Sequence, residues 1–431
     1  MSLKTLRNLF LILALMVVAM GVGYRAGARG VGREILQNTP IVGNIPVKPT
    51  SVDFSLFWDV WDRLNRYYID KKALDYQKMV YGAISGVVSS LGDPYTVFLP
   101  PDQNQEVKDD LGGKFEGIGA QLGIKDKKIV IVAPLKGTPA EKSGLRAGDW
   151  IVKVDGKDTS NWTLPEAVSK IRGTKGSSVV LNILHKDGAK PVDISVMRDT
   201  ISVASVEWET LKFKNQSSIV ASESGKTKIK IVKDDCTDCG QVIDLRLTRF
   251  GDQTTDEWNK AVTDIKTKIA NSQNKIKGLV FDLRNNPGGY LSGSIFIASE
   301  FLKDGTVVTQ ESIASGKQSY EVDRKGKFTD IPMVVLVNKG SASASEIVAG
   351  ALQVRGRAKI VGEASFGKGS VQEAQELPGG AGIHITTAKW LLPNGKWING
   401  SGITPDIKVE NDDNKSDEDL QLETAIETLV K

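Results

Sequence analysis

Five apolar residues in a row, Met333-Val334-Val335-Leu336-Val337, stand just before a run of small residues and a helical pattern. Short and largely β-branched, they predict a strand buried on both faces. Ile347, Val348, Ala351, Leu352 and Val354 then recur at helical spacing and predict a helix. Between the two lies Gly340-Ser341-Ala342-Ser343-Ala344-Ser345. Serine before a helix is ordinarily a cap. The same position also exposes unpaired N–H groups and the positive end of the helix dipole, where a nucleophile can deliver an oxyanion to waiting donors. A second short apolar strand at 358–361 leads into Gly362-Glu363-Ala364-Ser365-Phe366-Gly367-Lys368-Gly369-Ser370-Val371-Gln372.

The alternation of strand and helix signals recurs upstream. Residues 276–283 read as a buried strand running into Asn285-Asn286-Pro287-Gly288-Gly289, with a helix from near Ser292. Phe54, Phe57, Trp58, Trp61 and Leu64 fall on one helical stripe, expected to face a core. A second helix is expected over 76–91, stopped by Gly92-Asp93-Pro94. Residues 114–200 carry short strands and turns with one helix. They begin with Phe115-Glu116-Gly117-Ile118-Gly119-Ala120-Gln121-Leu122 and continue through strands at 129–132, 151–154 and 179–184 and a helix at 164–172. Residues 201–275 return to strands with a helix after Thr254-Thr255-Asp256, and 212–239 is charged and irregular. Strand-like runs at 382–392 and 397–398 precede a solvated acidic linker at 410–419 and a final amphipathic helix with Leu420, Leu422, Ile426 and Leu429.

Composition changes this picture little. A chain of 431 residues has room for about three domains. An apolar content of 40%, a charged content of 25% and a net charge of +4, with no basic stripe interleaved with aromatics, give no reason to expect a nucleic-acid partner. The N-terminus adds more. Lys4 and Arg7 precede an uncharged run, 9–24, followed by Arg25 and Arg29. That run is short for a membrane span and fits the apolar part of an export signal. We read 1–30 as a signal, kept as a membrane anchor or removed at Ala26-Gly27-Ala28, and 31–52 as a tether. The body is then expected outside the cytoplasm, in the periplasm, at the cell surface or secreted. Cys236 and Cys239 lack the second ligand pair of a zinc site and have no nearby histidine, leaving either a loop disulfide or two free thiols. No metal or cofactor is expected.

Candidate chemistry centres on Lys368. Flanking glycines let it approach another backbone, and in a strand continuing from it Gln372 would share its face. Burial lowers a lysine pKa by as much as ~3–5 units, which makes a general base of it; a glutamine orients the amine without adding charge. His185 and His384 lie far from the serines in sequence. A Ser-His-Asp triad would have to use His384, whereas a Ser-Lys pair fits the local sequence. Gly288-Gly289 and Gly117-Ile118-Gly119 are each either a tight turn or a set of N–H groups open to an anion.

Taken together, these motifs resemble the C-terminal processing peptidases, also called tail-specific serine proteases. The resemblance covers about 53–430 and includes Asp93-Pro94-Tyr95 and Gly402-Ile403-Thr404-Pro405-Asp406. It implies Ser343 as nucleophile, Lys368 as base, Gln372 as its support, and the N–H groups of Gly289 and Ala344 as the oxyanion hole. It also implies a PDZ domain whose Gly117-Ile118-Gly119 loop captures a free peptide C-terminus. The fold class so implied is α/β and multidomain: an N-terminal helical segment (53–113), a mostly-β PDZ domain (114–200), an α/β protease core of crotonase-like strand–turn–helix units (201–409), then the acidic linker and C-terminal helix (410–431). The expected activity is a serine endopeptidase acting through an acyl-enzyme on protein or peptide substrates with free C-termini. A membrane-tethered, non-catalytic PDZ scaffold would have lost Ser343 or Lys368. An enzyme of the enoyl-CoA hydratase type would need an acidic acid/base residue and has no use for a PDZ domain.

Overall fold

The computed structural model describes residues 52–430 except 126–127, 136, 147, 163, 186–187, 217–227, 233–235, 237–238, 274 and 411–418. The signal or anchor at 1–30 and all but the last residue of the tether lie outside the described residues, as does most of the acidic linker. Among the described residues no helix is long and apolar enough to cross a membrane. The chain divides into two compact units, before and after residue 75.

In the first unit, helix α1 (Ser55–Tyr67) starts where Asp53 Oδ1 accepts from Ser55 N–H at 2.8 Å. Its aromatic stripe forms, but no residue of α1 is buried. The expectation of a core face is not met: Phe57, Trp58 and Trp61 pack on one another, with Phe57 and Trp58 edge-on at 5.0 Å.

The second unit opens with α2 (Tyr76–Ser89), β1 (Val97–Leu99) and α3 (Pro101–Gly112). A short-stranded domain follows: β2 (Lys114–Gly117), β3 (Ala120–Lys125), β4 (Lys128–Pro134), α4 (Pro139–Lys142), β5 (Trp150–Val154), β6 (Lys157–Asp158), α5 (Leu164–Ile171), β7 (Ser178–Leu184), β8 (Val192–Met197) and β9 (Asp199–Ser202). Its main sheet has the order β3-β4-β5-β7-β8, with β2 and β9 paired apart. Apolar residues of these strands close a separate core: Ile129, Ile131, Ile151, Val179, Leu181 and Ile183, with Ala167 and Ile171 from α5. His185, at the end of β7, pairs its Nδ1 with Asp149 Oδ1 at 2.9 Å.

The remaining elements are β10 (Val206–Gln216), β11 (Lys228–Val232), β12 (Gly240–Leu247), α6 (Thr254–Ala270), β13 (Ile276–Asp282), α7 (Leu291–Phe301), β14 (Thr306–Ser312), β15 (Gly316–Glu321), β16 (Met333–Val337), α8 (Ala344–Val354), β17 (Lys359–Gly362), β18 (Ser370–Glu376), β19 (Gly382–Leu391), β20 (Ile407–Lys408) and α9 (Leu420–Val430). A seven-stranded sheet runs β11-β10-β12-β13-β16-β17-β20, parallel from β12 onward. Both faces are covered, which is why its strands read as unbroken apolar runs. Leu279, Phe281, Val335, Val337 and Ile360 point into a large core with α6, α7 and α8. Val280, Val334, Leu336 and Val361 point the other way, onto Ala425 and Ile426 of α9. Each such fully buried aliphatic side chain contributes about 1.5–3 kcal/mol.

Three expectations need correction. The charged stretch 212–239 is not irregular where described: β10 and β11 pair antiparallel from Lys212↔Val232 to Gln216↔Lys228, and Cys236–Cys239 is a disulfide. The alternation Lys212-Phe213-Lys214 on β10 and Lys228-Ile229-Lys230-Ile231 on β11 is that of paired strands with a charged and an apolar set of positions. Trp397 and Ile398 lie in a loop. Asp419 is not a solvated linker residue: it pairs with Arg284 at 2.8 Å and accepts from Leu422 N–H at the start of α9.

Arg284 also pairs with Asp282 at 2.7 Å. Near them Asp244 leaves its Oδ1 without a hydrogen-bond partner, and its pKa is pushed up to about 7, first by burial and then by the Asp282 charge. The native carboxyl therefore holds its proton more tightly than an unfolded one at about 3.9. Stability from this site is present at low pH and is lost as pH rises through 7. Asp244→Asn should raise the urea midpoint at about pH 8, with the gain shrinking as pH falls toward about 4; a pH-independent gain would contradict this.

Candidate active site

Gly288-Gly289, Ser343-Ala344 and Lys368 follow the C-terminal ends of the neighbouring parallel strands β13, β16 and β17. Topology thus gathers residues that are far apart in sequence. Lys368 follows β17 through the loop at 363–367.

The three serines differ in what holds them. Ser341 and Ser345 are fully buried; their hydroxyls donate to Leu283 O at 2.8 Å and Asn286 O at 2.9 Å. They stitch the serine turn to the loop after β13. Ser343 is half-buried and sits at φ 56, ψ −115. A non-glycine residue there costs about 1–3 kcal/mol, held by its surroundings.

The Asn-Asn-Pro-Gly-Gly loop is pinned through Asn286. Its Nδ2 donates to Leu247 O at 2.8 Å, and its Oδ1 accepts from Gly288 N–H at 2.9 Å. Gly288 must be glycine: a Cβ there would lie 2.8 Å from Ser343 Cβ and 3.0 Å from Ala344 N. Phe250 bridges this loop through Gly288 O and Tyr290 N–H, leaving the N–H of Gly289 outside the bridge. Ala344 is the first residue of α8, where an N–H has no intrahelical partner.

Glu346 is the residue that sequence reasoning passed over. Fully buried, its Oε2 accepts from Ser343 N–H at 2.8 Å and Lys368 N–H at 2.9 Å; its Oε1 accepts from Gly367 N–H at 2.6 Å and Ser365 Oγ at 2.5 Å. One carboxylate therefore ties the serine turn to the lysine loop. Its only signal in the sequence was a capping-type glutamate three residues after Ser343.

Lys368 lies between two crowded glycines, as its flanks suggested. A Cβ on Gly367 would come within 2.9 Å of Gly402 N, and one on Gly369 within 2.5 Å of Trp397 Nε1. Burial lowers the Lys368 pKa below the usual lysine range, and the charges of Asp93 and Glu346 pull partly the other way. β18 begins at Ser370 and carries a bulge between Val371 and Gln372, so simple alternation from Lys368 does not set Gln372. Its amide donates to Ser370 Oγ at 2.8 Å and Thr386 Oγ1 at 3.1 Å. His384 stands on β19 opposite Val97 and Ala374, its pKa lowered by burial and then by Lys368.

The Gly117-Ile118-Gly119 loop belongs to the short-stranded domain. The carbonyls of Ile118 and Gly119 accept from Ala140 and Leu135 N–H, each at 2.8 Å. The Ile118 side chain is buried in that domain's core. β3 is an edge strand, paired only with β4 among the described residues. No group of His, Cys, Asp and Glu among the described residues has the arrangement of a metal site.

Comparison with known proteins agrees with this architecture. The profile of Peptidase family S41 matches residues 242–409, and that of the PDZ domain matches 105–184. The carboxy-terminal processing protease CtpA of Bacillus subtilis is 36% identical over 382 residues, covering 87% of this chain and 73% of that protein. The carboxy-terminal-processing protease of Bartonella bacilliformis is 38% identical over 359 residues, covering 82% of this chain and 74% of its own. Among solved structures, a photosystem II D1 C-terminal processing protease superposes with a TM-score of 0.50 at 28% identity, over 87% of this chain and 97% of that one. The chain belongs to peptidase family S41 and is a serine peptidase of the carboxy-terminal processing group.

Proposed function

We propose that this peptidase works outside the cytoplasm with a Ser343–Lys368 dyad and cleaves near the free C-termini of its substrates. The observation that carries the reading is the sorting of the three serines: Ser341 and Ser345 are buried donors to backbone carbonyls, and Ser343 is the half-buried one beside Gly288-Gly289. Lys368, biased toward the neutral amine by burial, takes the Ser343 proton as Oγ bonds to the scissile carbonyl carbon. The carbonyl electron pair moves to oxygen, and the N–H groups of Gly289 and Ala344 receive the oxyanion, a contribution of about 3–4 kcal/mol per donor. Collapse expels the amine, which leaves with the proton from Lys368, and an ester on Ser343 remains. Water then attacks, Lys368 takes its proton and returns it to Ser343, and the new C-terminus departs. Gln372 holds the Ser370–Thr386 side of the lysine loop.

In this reading a substrate's terminal carboxylate is received by the N–H groups of Gly117-Ile118-Gly119 while its chain extends the open edge of β3. The pattern of residues 1–30 and the Cys236–Cys239 disulfide support a membrane-anchored or exported protein, because such bonds persist in oxidising compartments. Protection of the enzyme from added protease in sealed cells freed of any outer membrane would contradict that location.

Because the base must be neutral, kcat/KM should rise with pH through the lowered lysine pKa and be indifferent to chelators. A rise that survives in a Lys368 variant and vanishes in His384→Ala would replace the dyad by a histidine mechanism. Amidating a substrate's C-terminus should lower kcat/KM by ~10- to 100-fold, since charge-assisted hydrogen bonds are worth about 1.5–3 kcal/mol. Equal cleavage of acid and amide, measured below KM, would remove the PDZ loop from substrate selection. Ile118 is a poor site for this test because its side chain supports the domain's core.

A further inference from the structure

The wall facing Lys368 comes from the other end of the chain. Its Nζ lies 5.2 Å from the centroid of the Tyr95 ring. Tyr95 is held by a turn in which Asp93 Oδ1 accepts from Tyr95 N–H at 3.1 Å and Asp93 Oδ2 from Thr96 Oγ1 at 2.6 Å. Thr96 Oγ1 in turn accepts from Thr386 N–H at 3.0 Å, and β1 continues the attachment by pairing with β19. The ring is therefore fixed to the same strand that carries Thr386, the partner of Gln372.

We propose that Tyr95 is a positioning residue for the general base, its ring face being the platform against which the Lys368 side chain is held toward Ser343. The proposal rests on the reading of Lys368 as that base. A lysine side chain has many rotamers and a compact, strongly hydrated head. A fixed aromatic face restricts the rotamers and shuts out water. It also favours the ammonium that forms as Ser343 gives up its proton, since a cation is attracted to the ring face. The charged and titratable groups around the amine are Asp93, Glu346, His384 and the Tyr95 phenol itself. Burial is the largest cause of the depressed lysine pKa, so opening this wall to water should move the amine back toward its ordinary value.

The test compares Tyr95→Phe, Tyr95→Leu and Tyr95→Ala in the full chain, each checked for an unchanged thermal midpoint. The readouts are the pH profile of kcat/KM and, independently of activity, the pH dependence of reductive methylation at Lys368 followed by mass spectrometry. Tyr95→Phe, which keeps the ring face, should stay within about threefold of the parent. Tyr95→Leu should lose about 10-fold in kcat with KM retained. Tyr95→Ala should shift both the activity profile and the methylation midpoint to higher pH. A methylation midpoint unmoved in Tyr95→Ala, or equal kcat for Leu and Phe, overturns the proposal while leaving the base assignment intact. A midpoint that moves while the activity profile stays put shows that Lys368 is not the base, and the catalytic role of Tyr95 falls with it.

Discussion

Ser343→Ala and Lys368→Ala should each lower kcat by at least about 10⁴-fold, with the fold retained. Removing one member of a nucleophile–base pair costs nearly as much as removing both, because neither works alone. The neighbouring serines should behave differently. Ser345→Ala removes a hydroxyl bond from the Asn286 carbonyl, which keeps the Ala342 N–H, and should cost about 0.5–1.5 kcal/mol of stability. Ser341→Ala also takes the acceptor from Asn338 N–H and should cost about 1–3 kcal/mol, with much of the activity remaining in both. A serine-acylating probe followed by peptide mapping checks the assignment directly. Label on Ser341 or Ser345 would move the nucleophile.

Glu346→Ala should be nearly as damaging to turnover, by more than about 10²-fold, and should also destabilise the core by at least about 3 kcal/mol. The variant strands four donors: the buried Gly367 N–H and Ser365 hydroxyl and the partly buried N–H groups of Ser343 and Lys368, the buried ones each costing about 1–3 kcal/mol when left unpaired. Glu346→Gln keeps an acceptor but brings two N–H donors among groups that are themselves donors, so it should recover only part of the loss. Urea unfolding and single-turnover acylation separate the two effects. Unchanged acylation in a folded Glu346→Ala enzyme would mean that the two loops hold their geometry without the carboxylate.

The parts of this site legible in the sequence are those set by local pattern. The apolar run Met333–Val337 and the helical spacing after it place Ser343 at a strand-to-helix turn, and β16 and α8 form there. The glycines around Lys368 mark a close approach that Gly402 and Trp397 make. Glu346 and Tyr95 were hidden for a different reason: their partners are fixed by tertiary contacts that leave no period in the sequence. Glu346 has no role in the sequence reading, and Tyr95 enters it only as part of the family motif Asp93-Pro94-Tyr95. The bulge in β18 defeated the alternation argument for Gln372, since one extra residue inverts the faces beyond it. In α1 the same stripe that predicted a helix correctly also predicted a core face, and only the first follows from periodicity.

Thr96 and Thr386, which bond directly beside the lysine, are 290 residues apart in the chain. Synthesis runs from the N-terminus, so the segment bearing Tyr95 is made long before the strand that anchors it. A growing chain has no finished active site until β19 has been added and has crossed back to β1. On the proposed role of Tyr95, a nascent chain that ends before β19 would lack the fixed wall of its base. The same closure makes β19 the strand that joins the Tyr95 turn to the Gln372 strand, so on that proposal a cut in β19 should lower activity.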